Sequence, residues 1–120
     1  MFAIALLLAA ASPDPLAGTW EGTSLCQVKP SPCHDEHAIY VITLERPLHY
    51  KIDGYKLVAG QRDFMGSFNV TLAGMELDGP VISGGRVHGR LHMTLKGSHL
   101  SGRMTLPDGT LFRLIELDKR

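Results

Sequence analysis

The chain has 120 residues, 44% of them hydrophobic, and its 12 basic side chains balance 12 acidic ones. This length indicates one domain. The balanced charge excludes the surplus of lysine and arginine that general nucleic-acid binders carry and that steers proteins toward anionic membranes.

Residues 1–11 are uncharged and apolar throughout. Such a run is too short for a transmembrane helix, which needs about 20 residues, but it is typical of a secretory signal peptide. Small residues at 9–11 suit a signal peptidase, so we predict a signal peptide over 1–11, a tether over 12–16 and a single β domain over 17–120. The protein is then periplasmic or secreted. The alternative, a buried N-terminal helix, conflicts with the two prolines in residues 12–15.

Alternation of apolar and polar residues dominates the remaining chain and predicts β-strands. They lie at residues 18–26, 38–45, 49–58, 64–73, 86–96, 99–106 and 110–117, with a less regular segment at 75–83. The pattern places Phe64 and Val87 on inward faces and indicates a bulge at Gly54. Turns are predicted at residues 79–80, 84–85, 97–98 and 107–109. The strand at 38–45 is apolar on both sides, which leaves its inner face open.

The fold class is all-β. Seven or eight consecutive strands with short turns predict a small antiparallel meander β-barrel, because closing the sheet removes its exposed edges. A two-sheet β-sandwich is the alternative.

The two cysteines, Cys26 and Cys33, enclose a short loop that contains two prolines. In an exported chain this pair predicts a disulfide, which stabilises the fold by roughly 2.5 kcal/mol on the chain-entropy estimate.

The residues after the second cysteine, His34, Asp35, Glu36 and His37, form a candidate binding loop. The alternative is a structural role, in which Asp35 or Glu36 accepts hydrogen bonds from backbone N–H groups of the Ser-Pro-Cys turn. His34 and His37 are weak candidates for a metal site, since the cysteine and histidine spacing differs from that of known zinc sites. No cofactor is predicted, and no catalytic residues are assigned.

The segments Gly18-Thr-Trp-Glu-Gly-Thr-Ser-Leu-Cys26 and Ser31-Pro-Cys-His-Asp-Glu36 resemble a family of small exported bacterial proteins of uncharacterised function. The Gly18-Thr19-Trp20 segment also resembles the first strand of the calycins, the lipocalin-like barrels. That resemblance implies an arginine packed across Trp20. Arg113 is the candidate, because it lies in an apolar stripe and needs a partner such as an indole face.

These observations together predict an exported, non-catalytic protein that binds a small apolar ligand in the mouth of a barrel. The alternative is an envelope protein–protein interaction module that presents the loop from Cys26 to His37, and a hydrolytic enzyme is a distant third.

Overall fold

The computed structural model describes residues 14–28 and 32–120, and every regular element in these ranges is a β-strand. The strands are β1 (Gly18–Cys26), β2 (Glu36–Arg46), β3 (His49–Val58), β4 (Gln61–Ala73), β5 (Glu76–Ser83), β6 (Arg86–Lys96), β7 (His99–Thr105) and β8 (Leu111–Lys119). Each strand pairs antiparallel with the next, and β8 pairs with β1. The predicted meander barrel is confirmed, and the sandwich alternative is wrong.

The predicted signal peptide at 1–11 and the first two residues of the tether lie outside the described residues. Within 14–28 and 32–120 there is no helix with the length and apolar character needed to cross a membrane.

Bulges near one end of the barrel change which residues face inward. Met65 is an extra residue in β4 opposite Gly54, so the alternation inverts and Phe64 is 56% exposed. His88 is an extra residue in β6, and Val87 is 59% exposed for the same reason. The register does shift next to Gly54, where a bulge was predicted, but the extra residue is Met65 of β4 and not a residue of β3. The inward positions predicted for Phe64 and Val87 are wrong.

The turn predicted at Gly79-Pro80 is also wrong, because β5 runs through it. β4 and β5 share three residue pairs, and the last of them involves Asp78. Pro80 pairs with Arg90 of β6, beyond the end of the β4 ladder. A proline is tolerated there because it lacks an N–H on a strand that is paired on one side only.

The inner face of β2, which the sequence left open, is the one that carries Ala38, Tyr40 and Ile42, all buried in the main core. Ile39 is buried as well, on the opposite side of the strand and outside that core cluster.

One half of the barrel is filled with large apolar side chains. The fully buried ones are Leu16, Trp20, Ile52, Leu77, Leu91, Met93, Leu100, Ile115 and Leu117. We call this half the closed half and its end the closed end. The β2–β3, β4–β5 and β6–β7 connections lie at this end, because the strands alternate in direction.

Residues 14–17 fold across the closed end. One carboxylate oxygen of Asp14 accepts the N–H groups of Leu16 and Ala17 at 2.8 and 3.0 Å. The Trp20 indole donates to the Leu16 carbonyl at 2.9 Å, and the Tyr50 hydroxyl donates to Asp14 at 2.8 Å. Residues 14–16 of the predicted tether are packed against the closed end of the barrel.

The cation beside Trp20 is Lys119, whose Nζ lies 5.8 Å from the ring centre. The predicted pairing of Trp20 with Arg113 is wrong. The β1–β8 register is the reason, since it pairs Trp20 with Lys119 and places Arg113 opposite Cys26 at the other end of β1. Trp20 is a fully buried residue of the core.

Two histidines on the outer surface bridge carboxylates of neighbouring strands. His92 of β6 lies between Asp78 and Glu76 of β5, at 2.8 and 2.7 Å. His99 of β7 lies between two carboxylates of β8, also at 2.8 and 2.7 Å. The hydrogen bond with Asp78 raises the pKa of His92 above its ordinary value, and the one with Asp118 does the same for His99.

These bridges predict that the protein is most stable at mildly acidic pH. A histidine whose pKa is higher in the folded than in the unfolded protein stabilises the fold. This contribution is complete below the unfolded pKa of 6.5 and is lost as the pH rises through the folded pKa. Hydrogen bonds from Thr94 and His92 lower the pKa of Glu76, so its contribution is present above its unfolded value of 4.5 and is lost as the pH falls. We expect the Tm at about pH 5.5 to exceed that at about pH 8 by a few degrees.

The control is a comparison of two variants by calorimetry. The double variant His92→Gln/His99→Gln should lose most of this difference in Tm, whereas His88→Gln, a change at an exposed histidine without a carboxylate contact in the described part of the chain, should keep it. An unchanged difference in the double variant would contradict the assignment.

Candidate functional site

The end of the barrel opposite the closed end, which we call the mouth, holds a cavity of about 240 Å³. Its lining residues come from every strand except β6. The apolar lining includes Ala38, Tyr40, Phe68, Val81 and Met104, and the polar lining includes Ser24, Glu36 and Arg113. An engineered cavity of about 150 Å³ holds benzene, so this volume suits a molecule of about six to ten carbon atoms.

Small residues at inward positions leave this space open. Ser24, Ala38 and Gly54 lie along the cavity wall. In the closed half, by contrast, the inward positions carry large side chains. A Cβ atom built on Gly54 would come no closer than 3.4 Å to any neighbour, the nearest being Phe68 Cε2. The missing side chain at Gly54 therefore adds to the cavity rather than relieving a clash.

Tyr40 and Phe68 form the aromatic part of the wall. Their rings meet edge to face, with centres 6.1 Å apart. Burial raises the pKa of the Tyr40 hydroxyl well above its ordinary value, and the nearby charge of Glu36 acts in the same direction. Tyr40 lines the cavity, and within residues 14–28 and 32–120 its hydroxyl makes no hydrogen bond, so its donor and acceptor capacity are both unused.

Arg113 joins three segments of the barrel wall at the mouth. Its Nη1 donates to the Ser24 carbonyl at 3.1 Å, the Ser24 hydroxyl at 3.2 Å and the His34 carbonyl at 3.0 Å. Its Nη2 lies 3.4 Å from Glu36 Oε2, and the two side chains are only 10% and 17% exposed. The guanidinium therefore ties β1, β2 and the connection between them to β8.

The disulfide predicted between Cys26 and Cys33 is present and spans the β1–β2 connection, with Cα atoms 5.9 Å apart. Asp35 Oδ1 accepts the backbone N–H of Cys26 at 2.8 Å. The prediction that Asp35 accepts a backbone N–H is thus correct in kind, although the donor is Cys26 rather than a residue of the Ser-Pro-Cys turn. The covalent bond and this hydrogen bond both hold the same corner.

The candidate binding loop does not present one continuous surface. His34 and Asp35 are exposed and contribute backbone and carboxylate contacts to the corner. Glu36 points into the mouth, whereas His37 points outward and contacts Glu21 of β1. The side chains alternate because β2 begins at Glu36.

The weak metal candidates, His34 and His37, are not gathered with other donors. Among the residues that the structure describes, no group of three or more histidine, cysteine, aspartate or glutamate side chains is arranged to hold a metal ion.

The sequence predicts a ligand site in the mouth of the barrel, but it does not identify most of the residues that line the cavity. The sequence identifies Arg113 because it lies in an apolar stripe, and Glu36 because it belongs to the candidate binding loop. Nothing in the sequence pattern identifies Ser24 or Gly54 as lining residues. Met65 lines the cavity only because of the bulge in β4.

Exposed apolar side chains surround the mouth. They lie on the β3–β4, β5–β6 and β7–β8 hairpins, and include Val58, Phe64, Met65, Ile82, Val87 and Leu111. An apolar molecule that approaches the cavity therefore meets an apolar rim.

Arg113 is predicted to be the most important charged residue for stability at the mouth. Arg113→Ala removes four contacts and leaves the half-buried Glu36 carboxylate without its cation, at an expected cost of about 2–4 kcal/mol in the free energy of unfolding. The exposed Arg103 of β7 is the matched control, and Arg103→Ala should cost less than about 0.5 kcal/mol. Urea denaturation measures both, and equal losses would contradict the role of Arg113.

The chain matches no known protein-family model, no characterised protein and no solved structure.

Proposed function

We propose that this protein is an exported binding protein that takes up a small apolar ligand in the cavity at the mouth of its barrel. The observation that carries the proposal is the division of the interior into a filled closed half and a cavity of about 240 Å³ lined by Ala38, Tyr40, Phe68, Val81 and Met104. Apolar pockets with a few converging polar groups are the usual form of small-molecule sites.

The driving force for binding is the removal of apolar surface from water. A ligand that buries about 150 Å² of apolar surface gains roughly 4 kcal/mol before its ordering costs are counted. The expected affinity is therefore modest, with a Kd in the millimolar range, because 4 kcal/mol corresponds to about 1 mM.

The disulfide supports the export part of the proposal, because such bonds persist in oxidising compartments such as the periplasm and the cell exterior. The apolar run at residues 1–11 points the same way.

The alternative, an interaction module built on the loop from Cys26 to His37, has less support. Asp35 accepts the Cys26 N–H, Glu36 pairs with Arg113 and His37 contacts Glu21, so three of the four loop side chains are already engaged by other residues of the barrel. Deleting the exposed His34 and His37 imidazoles by alanine substitution should accordingly leave ligand binding intact.

The direct test is to fill the cavity. Val81→Phe adds a ring to the cavity wall and should lower the affinity for toluene, measured by ligand-observed NMR, at least about tenfold. Native mass spectrometry should also show any co-purifying small molecule on the wild type and not on this variant.

The matched control is Val41→Phe, the same change on the outer side of β2, where Val41 pairs with Thr19 and Asp53. It should bind toluene as the wild type does, and thermal unfolding confirms that both variants are folded. Equal toluene binding by Val81→Phe and Val41→Phe, or none by the wild type, would contradict the proposed function.

A further inference from the structure

We propose that the mouth cavity selects uncharged ligands, namely small apolar molecules with one neutral hydrogen-bonding group such as a primary amide or an alcohol, and rejects carboxylates of the same shape. This inference rests on the proposed function and specifies the class of ligand.

The cation at the mouth is already neutralised. Arg113 is the cavity-lining residue that could attract an anion, but its Nη2 lies 3.4 Å from the Glu36 carboxylate. The pair has no net charge, because each partner carries one unit of opposite sign.

Much of the donor capacity of the Arg113 guanidinium is already used. Nη1 carries two hydrogens and faces three oxygens, two from Ser24 and one from His34. A ligand carboxylate could not form the paired hydrogen bonds along the Nη1–Nη2 edge that make arginine a strong carboxylate receptor, because that edge already faces Ser24, His34 and Glu36.

A second negative charge in the cavity would be costly. Glu36 is 17% exposed and lines the cavity, so an incoming carboxylate would lose its water and lie close to a like charge. Desolvation of the charge and repulsion by Glu36 both oppose the binding of a carboxylate. A neutral amide of the same shape experiences neither effect.

The Tyr40 hydroxyl is available for a neutral partner. Tyr40 lines the cavity and is 6% exposed, and its hydroxyl makes no hydrogen bond in the described part of the chain. A phenol O–H can donate to a carbonyl or accept from an N–H or O–H. Its raised pKa keeps it protonated at neutral pH, so it adds no charge of its own.

The experiment compares octanamide with octanoate, which match in size and planarity and differ in charge at about pH 7. Isothermal titration calorimetry on the wild-type protein should show octanamide binding at least about tenfold more tightly. Octanoate binding as tightly as octanamide, or more tightly, would overturn the inference and leave the proposed function standing.

The variant Glu36→Gln tests the cause. It removes the negative charge and leaves Arg113 uncompensated, so octanoate should gain at least about tenfold in affinity and the preference should disappear or reverse. Asp63→Asn is the control, because it removes the same charge from an exposed position on the β3–β4 hairpin at the mouth and should keep the wild-type preference.

The remaining outcomes are also decisive. If toluene binds the wild type but neither octyl compound does, the neutral-group inference fails while the proposed function stands. If none of the three binds, the proposed function fails, and the inference fails with it.

A Glu36→Gln variant that is folded but keeps the wild-type preference would overturn Glu36 as the cause. If that variant does not fold, the wild-type comparison alone decides.

Discussion

The Arg113 guanidinium is a buried cation whose donors must be satisfied inside the wall of the barrel. Ser24, the His34 carbonyl and Glu36 satisfy it, and these groups belong to β1, β2 and the connection between them. The disulfide and the Asp35 hydrogen bond hold the same corner. The corner is thus fixed by covalent, ionic and hydrogen-bonded links at once, and the electrostatic character of the cavity follows from it.

The cavity exists because the barrel interior is filled unevenly. An eight-stranded barrel is just wide enough for its inward side chains to fill it. Large residues such as Trp20 and Leu117 fill the closed half, while Ser24, Ala38 and Gly54 leave the mouth open. Packing that part with larger side chains would be the simple way to gain stability, so the space is consistent with selection for binding rather than for stability alone.

Alternation predicted the strands, the barrel and several turns, because a period of two with one apolar face directly reflects a half-buried sheet. It failed at Phe64 and Val87, where single extra residues in β4 and β6 invert the pattern, and at Pro80, which is tolerated because β5 has lost its β4 neighbour. The partner of Arg113 could not be predicted without the register of β1 against β8. A pattern shows that a buried arginine needs a partner, but only the β1–β8 alignment shows that Trp20 lies at the opposite end from it.

The central claim is that a small apolar molecule occupies the mouth, and the methionine residues offer a direct test of it. Met65 and Met104 line the cavity, Met93 is fully buried in the closed half, and Met75 is exposed at the closed end. The measurement is a titration of protein carrying ¹³C-methyl methionine with toluene, followed by NMR. The methyl signals of Met65 and Met104 should shift in a saturable way while that of Met75 stays in place. Unchanged Met65 and Met104 signals, or equal shifts at Met75, would contradict binding in the mouth.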